Sequence, residues 1–315
     1  MNKQILMIGF AMLIAFVTSC KKEDQPGNKW TTYTIKNGLA DNWVHTITID
    51  EQGNKWFGTG YGVTKFDNKN WTTYTTKDGL VCDYVVVITA DRQGNIWFGT
   101  YNAGVSKFNG TNWTSYTKAN GLIDNNIFDI EIDKQGNKWI GTNMGVSKFD
   151  DVNWTSYTTD SGLIFRQAIK IAIDSRDRKW FGTFDGISMY NDTTWRNYQS
   201  NQYNTIYAIA IDAKGYIWFG TDFGLVSKFD GVKFETYSTS IGLSSWCVTD
   251  IKIDSYGNIW FAGLGAGVTK FDGNKWITYT KEDGLLSNYV YAIAIDKQGN
   301  KWFATEYGVS ELQDY

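Results

Sequence analysis

Residues 38–75 read GLADNWVHTITIDEQGNKWFGTGYGVTKFDNKNWTTYT, and this stretch decides the fold. Val44, Ile47 and Ile49 form a short apolar strand pattern that Asp50 closes. Asp50-Glu51-Gln52-Gly53-Asn54 reads as a turn, because Asp can accept from the backbone ahead of it and Gly supplies positive φ. Lys55–Thr59 is a second strand pattern, Val63–Phe66 a third after Tyr61-Gly62, and Trp71–Thr75 a fourth after the turn at Asp67–Asn70. Connections of about four residues make such strands antiparallel hairpins. The strand beginning at Val44 should be innermost, since the others follow outward in chain order.

The block returns seven times, beginning at Trp30, Trp71, Trp113, Trp154, Trp195, Phe234 and Trp276, at intervals of 39 to 42 residues. A period of about 40 with four short strands per unit is the signature of a β-propeller. The expected fold is therefore all-β: a seven-bladed β-propeller over residues 30–315, with four antiparallel strands per blade. Trp56, Trp97, Trp139, Trp180, Trp218, Trp260 and Trp302 share one column and are predicted to be core. The first strand, Trp30–Thr34, has the outermost-strand pattern, and the last, Val309–Leu312, has the third-strand pattern. The N-terminal strand should thus complete the last blade and remove an exposed edge.

Composition narrows the function. The 315 residues carry a formal charge of −3, with no basic block or stripe, which excludes nucleic acid as a partner. One His and three Cys are few ligands for a transition metal, and no cofactor or metal is expected. The recurring D-x-x-G-N turns lack the ligand density of a calcium loop and read as structural Asx-turns. Cys82 and Cys247 fall in blades that are not neighbours, so a disulfide between them is not expected.

The first 20 residues read as an address. Lys3 precedes an apolar run from Ile5 to Val17, whose helix of about 20 Å is too short for a bilayer of roughly 30 Å. Val17-Thr18-Ser19-Cys20 resembles a lipobox, which implies lipidation on Cys20 and anchoring as an outer-membrane lipoprotein on the periplasmic or cell-surface side. The alternative is an ordinary secretory signal with an incidental cysteine. Lys21-Lys22-Glu23-Asp24 resembles the export tag of Bacteroidetes surface lipoproteins, with a plain solvated tether over residues 21–29 as the alternative.

The pattern G-L-x-x-N-x-V-x-x-I-x-x-D-x-x-G-N-x-W-F-G-T-x-x-G-V resembles the two-component regulator propeller repeat. Clear copies are Gly38–Val63, Gly79–Val105, Gly121–Val146 and Gly284–Val309. The resemblance implies a periplasmic sensing propeller of the kind found in hybrid sensor kinases, often for glycans, with no transferable catalytic residues. No spanning helix, kinase or DNA-binding domain follows Tyr315, so a signalling role is expected to need a separate sensor kinase. The I-D-x-x-G-N-x-W-F element is also similar to streptogramin lyase, a family that implies a histidine near the propeller mouth with a divalent ion. His45 is the one histidine here. It shares a column with Val86, Phe128, Ile169, Tyr207, Thr249 and Tyr291, where a core role is expected.

Comparing repeats with one another locates the candidate site. Variation gathers in the fourth-to-first and second-to-third strand loops, which emerge on one face of an antiparallel blade. One column there reads Trp43, Tyr84, Asn126, Gln167, Thr205, Cys247, Tyr289, and the column before it Asn42, Asp83, Asn125, Arg166, Asn204, Trp246, Asn288. The second-to-third loops add Tyr61, Tyr101, Phe184, Asp222 and Tyr307. Candidate ligand contacts are therefore Trp43, Tyr61, Tyr84, Tyr101, Arg166, Phe184, Asp222, Trp246, Tyr289 and Tyr307. Rings beside amides and acids suit a glycan, a peptide or an envelope protein. Asp129, Lys170 and Asp250 share an inner-strand column and are expected to be solvated channel residues.

The reading that follows is a non-enzymatic, membrane-anchored propeller that binds through its variable face. Two alternatives stand beside it: a lyase or hydrolase with His45, Asp83 or Glu306 as base, and a structural subunit of an envelope complex.

Overall fold

The computed structural model describes residues 29–198, 205–222, 224–237 and 247–313. Cys20, the signal segment, most of the tether and Trp246 lie outside the described residues. Seven four-stranded antiparallel sheets form the blades of a propeller. In blade 1 the strands are Val44–Ile49, Lys55–Thr59, Gly62–Phe66 and Trp71–Tyr74, from the axis outward. The inner strands of blades 2 to 7 are Val85–Ala90, Ile127–Ile132, Ala168–Ile173, Ile206–Ile211, Val248–Ile253 and Val290–Ile295. As the sequence predicts, Lys29–Tyr33 supplies the fourth strand of blade 7, pairing Trp30 with Leu312 and Tyr33 with Val309. The Tyr33 hydroxyl donates to Glu311 at 2.8 Å, and its ring stacks on Trp302 with centroids 5.4 Å apart.

There is no single core. Each blade packs on the next through its own apolar cluster, such as Leu39, Val44, Ile47 and Phe57 of the first repeat against Ala292, Ala294, Trp302 and Val309 of blade 7. The Trp column is buried, and one device holds it in every blade. The Asp of each D-x-x-G-N turn accepts from the indole N–H six residues later, from Asp50–Trp56 at 2.9 Å to Asp296–Trp302 at 3.1 Å. In the first turn the same carboxylate accepts from the backbone and side-chain amide of Asn54, at 2.8 Å each. The turns are thus structural, and they satisfy a buried donor that would otherwise be costly. Lys55, Lys138, Lys179 and Lys301 are buried at the start of their second strands, each 4.9 to 5.1 Å from a Trp ring centroid of the preceding blade.

Every inner strand carries a register shift at the same place. The skipped residues are His45, Val86, Phe128, Ile169, Tyr207, Thr249 and Tyr291. A bulge adds one residue to one strand and re-aims the side chains around it. This overturns the core assignment of that column, because all seven residues line the central channel.

A second expectation is also corrected. Asp129 and Asp250 are not solvated: they are 2 % and 5 % exposed. Asp129 accepts from the Ile171 amide of blade 4 at 2.8 Å, and Asp250 from the Ile293 amide of blade 7 at 2.9 Å. Each therefore staples its inner strand to the next.

Candidate functional site

The axial channel encloses about 480 Å³. The seven bulge residues ring its upper part. Above them stands the variable face, and backbone bonds confirm that its two sets of loops share one side: Tyr101 N donates to Tyr84 O at 3.1 Å, and Gly62 N to Asp83 O at 2.8 Å.

The candidate residues divide into a crescent and a rim. Trp43 and His45 have ring centroids 5.4 Å apart, His45 stacks on Tyr84 at 4.8 Å, and Tyr84 meets Tyr101 at 5.7 Å. Tyr291 closes this series from blade 7, 6.1 Å from Trp43. These aromatic groups form one continuous crescent across blades 7, 1 and 2. Trp43 is 49 % exposed, the rest of its surface lying against His45 and Tyr291. Tyr289 is exposed and lies over Gly265, its hydroxyl 3.8 Å from where a β-carbon there would sit. Tyr61 and Tyr307 stand at hairpin tips, exposed and outside the crescent, with Lys281 6.0 Å above the Tyr307 ring. Phe184 packs on Phe165 at 6.2 Å, and Arg166 is exposed beside Met144. Asp222 bridges to Cys247, and burial raises its carboxyl above the ordinary value. None of the nine described candidates lines the channel itself; they stand above it.

Blades 3 and 4 complete the mouth with amides. Gln167 donates to Asn143 at 2.8 Å, and the buried Oδ1 of Asn126 accepts no hydrogen bond. The column before it behaves differently from its variable appearance. Asn42, Asp83, Asn125 and Asn288 each accept from a backbone N–H seven residues earlier, at 2.7 to 2.9 Å. They hold the G-L turn in place, so Asp83 is committed to the loop rather than available as a base. Arg166 departs from this pattern, which leaves its guanidinium turned outward. Glu306 accepts from Ser287 at 2.9 Å.

His45 is half-buried at the crescent, and burial lowers its pKa, with Asp41 opposing, so it is neutral near pH 7. Deeper in the channel Asp129, Glu131, Lys170, Asp250 and Lys252 converge. Burial and then Asp129 push the Glu131 carboxyl up to about 7, against the pull of Lys170 and Lys252. The mixed column at the bulge and the charges at Glu131 and Lys252 were the signals for this inner site; regular strand alternation hid them. Among the described residues no group of three His, Cys, Asp or Glu side chains is placed to hold a metal ion. Cys82 and Cys247 are not joined in a disulfide.

The two-component regulator propeller pattern matches residues 69–102, 121–144, 202–223 and 284–307. No curated protein sequence is significantly similar. Among solved structures, the extracellular domain of the hybrid two-component system BT3049 from B. thetaiotaomicron superposes with a TM-score of 0.79 at 23 % identity, over 91 % of this chain and 42 % of that one. Streptogramin B lyase superposes with 0.75 at 18 % identity, over 91 % and 97 %. PorZ of Porphyromonas gingivalis, a surface component of the type-IX secretion system, gives 0.73 at 18 %, over 90 % and 48 %. This chain thus spans less than half the length of BT3049 and PorZ. At these identities the structural likeness speaks to the fold, a seven-bladed propeller, and the repeat match shows that four segments of the chain carry the two-component regulator propeller repeat.

Proposed function

We propose that this protein is a non-enzymatic binding propeller of the cell envelope. It is anchored by a lipid on Cys20 and takes its ligand at the mouth of the channel. The observation that carries the reading is the exposed crescent of Trp43, Tyr84 and Tyr101, continued inward by His45 and Tyr291, with Tyr289 exposed beside Gly265 and the amides of Asn143 and Gln167 on the same mouth. Aromatic faces opposite hydrogen-bonding amides suit a sugar ring, which offers C–H groups on its faces and hydroxyls at its edge. A glycan is therefore the leading ligand. The extracellular setting of BT3049 and the surface setting of PorZ support the location, and a separate sensor kinase would carry any signal onward.

A glycan-binding screen on the purified protein tests this. Binding to one glycan class, lost when Trp43, Tyr84 and Tyr289 are changed together, is the expected result. Binding that survives the triple change would move the site elsewhere.

One observation favours a second reading. Tyr61 and Tyr307 project from hairpin tips outside the crescent and are 71 % and 54 % exposed. Such isolated rings suit docking of an envelope protein on the same face. Co-purification from detergent-solubilised membranes, abolished by changing Tyr61 and Tyr307 but not Trp43, would support it.

A further inference from the structure

Below the bulge ring the two walls of the channel differ. Blades 7, 1 and 2 line it with Ala, Ile, Val and Thr; blades 3, 4 and 6 bring Asp129, Glu131, Lys170, Asp250 and Lys252. Both lysines are already paired, Lys170 with Asp129 at 3.3 Å and Lys252 with Asp250 at 3.7 Å. The two aspartates are further fixed by the Ile171 and Ile293 amides. Glu131 is different: it is half-buried, faces the channel, and its carboxylate accepts no hydrogen bond among the described residues. Three carboxylates therefore face two ammonium groups, and this belt is short of one positive charge. Above it the mouth presents the rings of Trp43, Tyr84, Tyr207 and Tyr291. Ring faces attract cations. Phe128 of the bulge ring lies three residues from Glu131, a rise of about 10 Å along the strand.

We infer that the channel takes an organic cation, a protonated amine or guanidinium on a slender chain, which passes the aromatic mouth and ends on the Glu131 carboxylate. The inference rests on the mouth reading for the ligand's route. In the empty channel Glu131 meets the charge deficit with a proton, since burial and Asp129 hold its carboxyl near 7. The charged groups that face it are Asp129 on its own strand, Lys170 of blade 4, and Asp250 and Lys252 of blade 6. His45 is neutral at this pH, and the Tyr207 and Tyr291 hydroxyls are raised by burial, so none of these three adds charge. A bound cation takes the place of the proton.

The experiment measures binding of n-hexylammonium and of its neutral isostere 1-hexanol to the full chain at pH 6 and pH 8. The expected result is that hexylammonium binds about tenfold more tightly at pH 8, as Glu131 ionises, while hexanol is indifferent to pH. Glu131→Gln, checked for an unchanged unfolding midpoint, should remove both the preference for the ammonium and its pH dependence. Equal binding of the two probes at pH 8, no binding of hexylammonium, or pH dependence retained in Glu131→Gln would each overturn the inference. Trp43→Ala should weaken both probes. If it weakens neither while Glu131→Gln still abolishes the preference, the mouth reading fails and the cation site stands.

Discussion

The Asp133 carboxylate accepts from the Trp139 indole at 2.8 Å, and so ties a surface turn to the centre of a blade. It also accepts from the backbone and side-chain amide of Asn137 at 2.8 Å each. Asp133→Ala would leave the buried indole N–H without a partner. We expect a loss of about 2–3 kcal/mol in urea unfolding. Asp67→Ala, in an exposed turn without an indole, should change stability little.

These turns also set the acid limit. Burial works to raise the carboxyls of Asp133, Asp174 and Asp254, but hydrogen bonds from Trp, Asn and Arg outweigh it and hold them below the ordinary value. A carboxyl depressed in the folded state contributes stability above its unfolded pKa and loses it as pH falls through its folded value. Their contribution to stability should therefore be constant near neutrality and fall steeply below about pH 4. A variant with Asp133, Asp174 and Asp254 all changed to Asn should show a shallower fall.

His45 acts with its own sign. Its folded pKa is lowered by burial, so the unfolded chain binds the proton more readily. Stability should decline as pH falls below about 6.5, and His45→Gln should remove that part of the slope. Thermal unfolding at pH 5.5 and 7.5 on both proteins checks it.

The seam of the ring is a local target. Gly284 has φ +113°, and a β-carbon there would fall 2.6 Å from Cδ1 of Trp30 in the closing strand. Gly284→Ala should cost about 1–3 kcal/mol from backbone strain alone, before the clash is counted. Limited proteolysis should then cut the N-terminal strand first.

Between blades 6 and 7, Asp250→Ala removes the acceptor of the buried Ile293 amide and should cost about 1–3 kcal/mol. Asp250→Asn keeps an acceptor and should retain most of the stability, which separates the hydrogen bond from the charge.

The fold was legible because every repeat spells the same devices. An Asp six residues before a Trp marks the indole clamp, and the unmatched first and last strands mark the seam. The variable face was legible too, since Trp43, Tyr84 and Tyr289 stand where loop variation placed them. The channel was not. His45, Phe128, Tyr207 and Tyr291 sit on strands, and a period of two assigns each residue a side; a bulge adds one residue and breaks that count. Asn42, Asp83, Asn125 and Asn288 misled in the opposite sense. Their identities vary between Asn and Asp, yet each offers the same Oδ1 acceptor, so chemistry was constant where the letters were not. Glu131 and Lys252 passed as ordinary strand charges, because the channel brings together residues more than a hundred positions apart.

The bulge in each inner strand has a consequence for engineering. A bulged residue has no partner opposite it in the ladder, so exchanging its side chain leaves strand register untouched. Positions 45, 86, 128, 169, 207, 249 and 291 thus behave as seven settings on one dial, with 45 and 291 coupled through their ring contact. A library varied at these sites alone would re-address the channel while the scaffold stays the same.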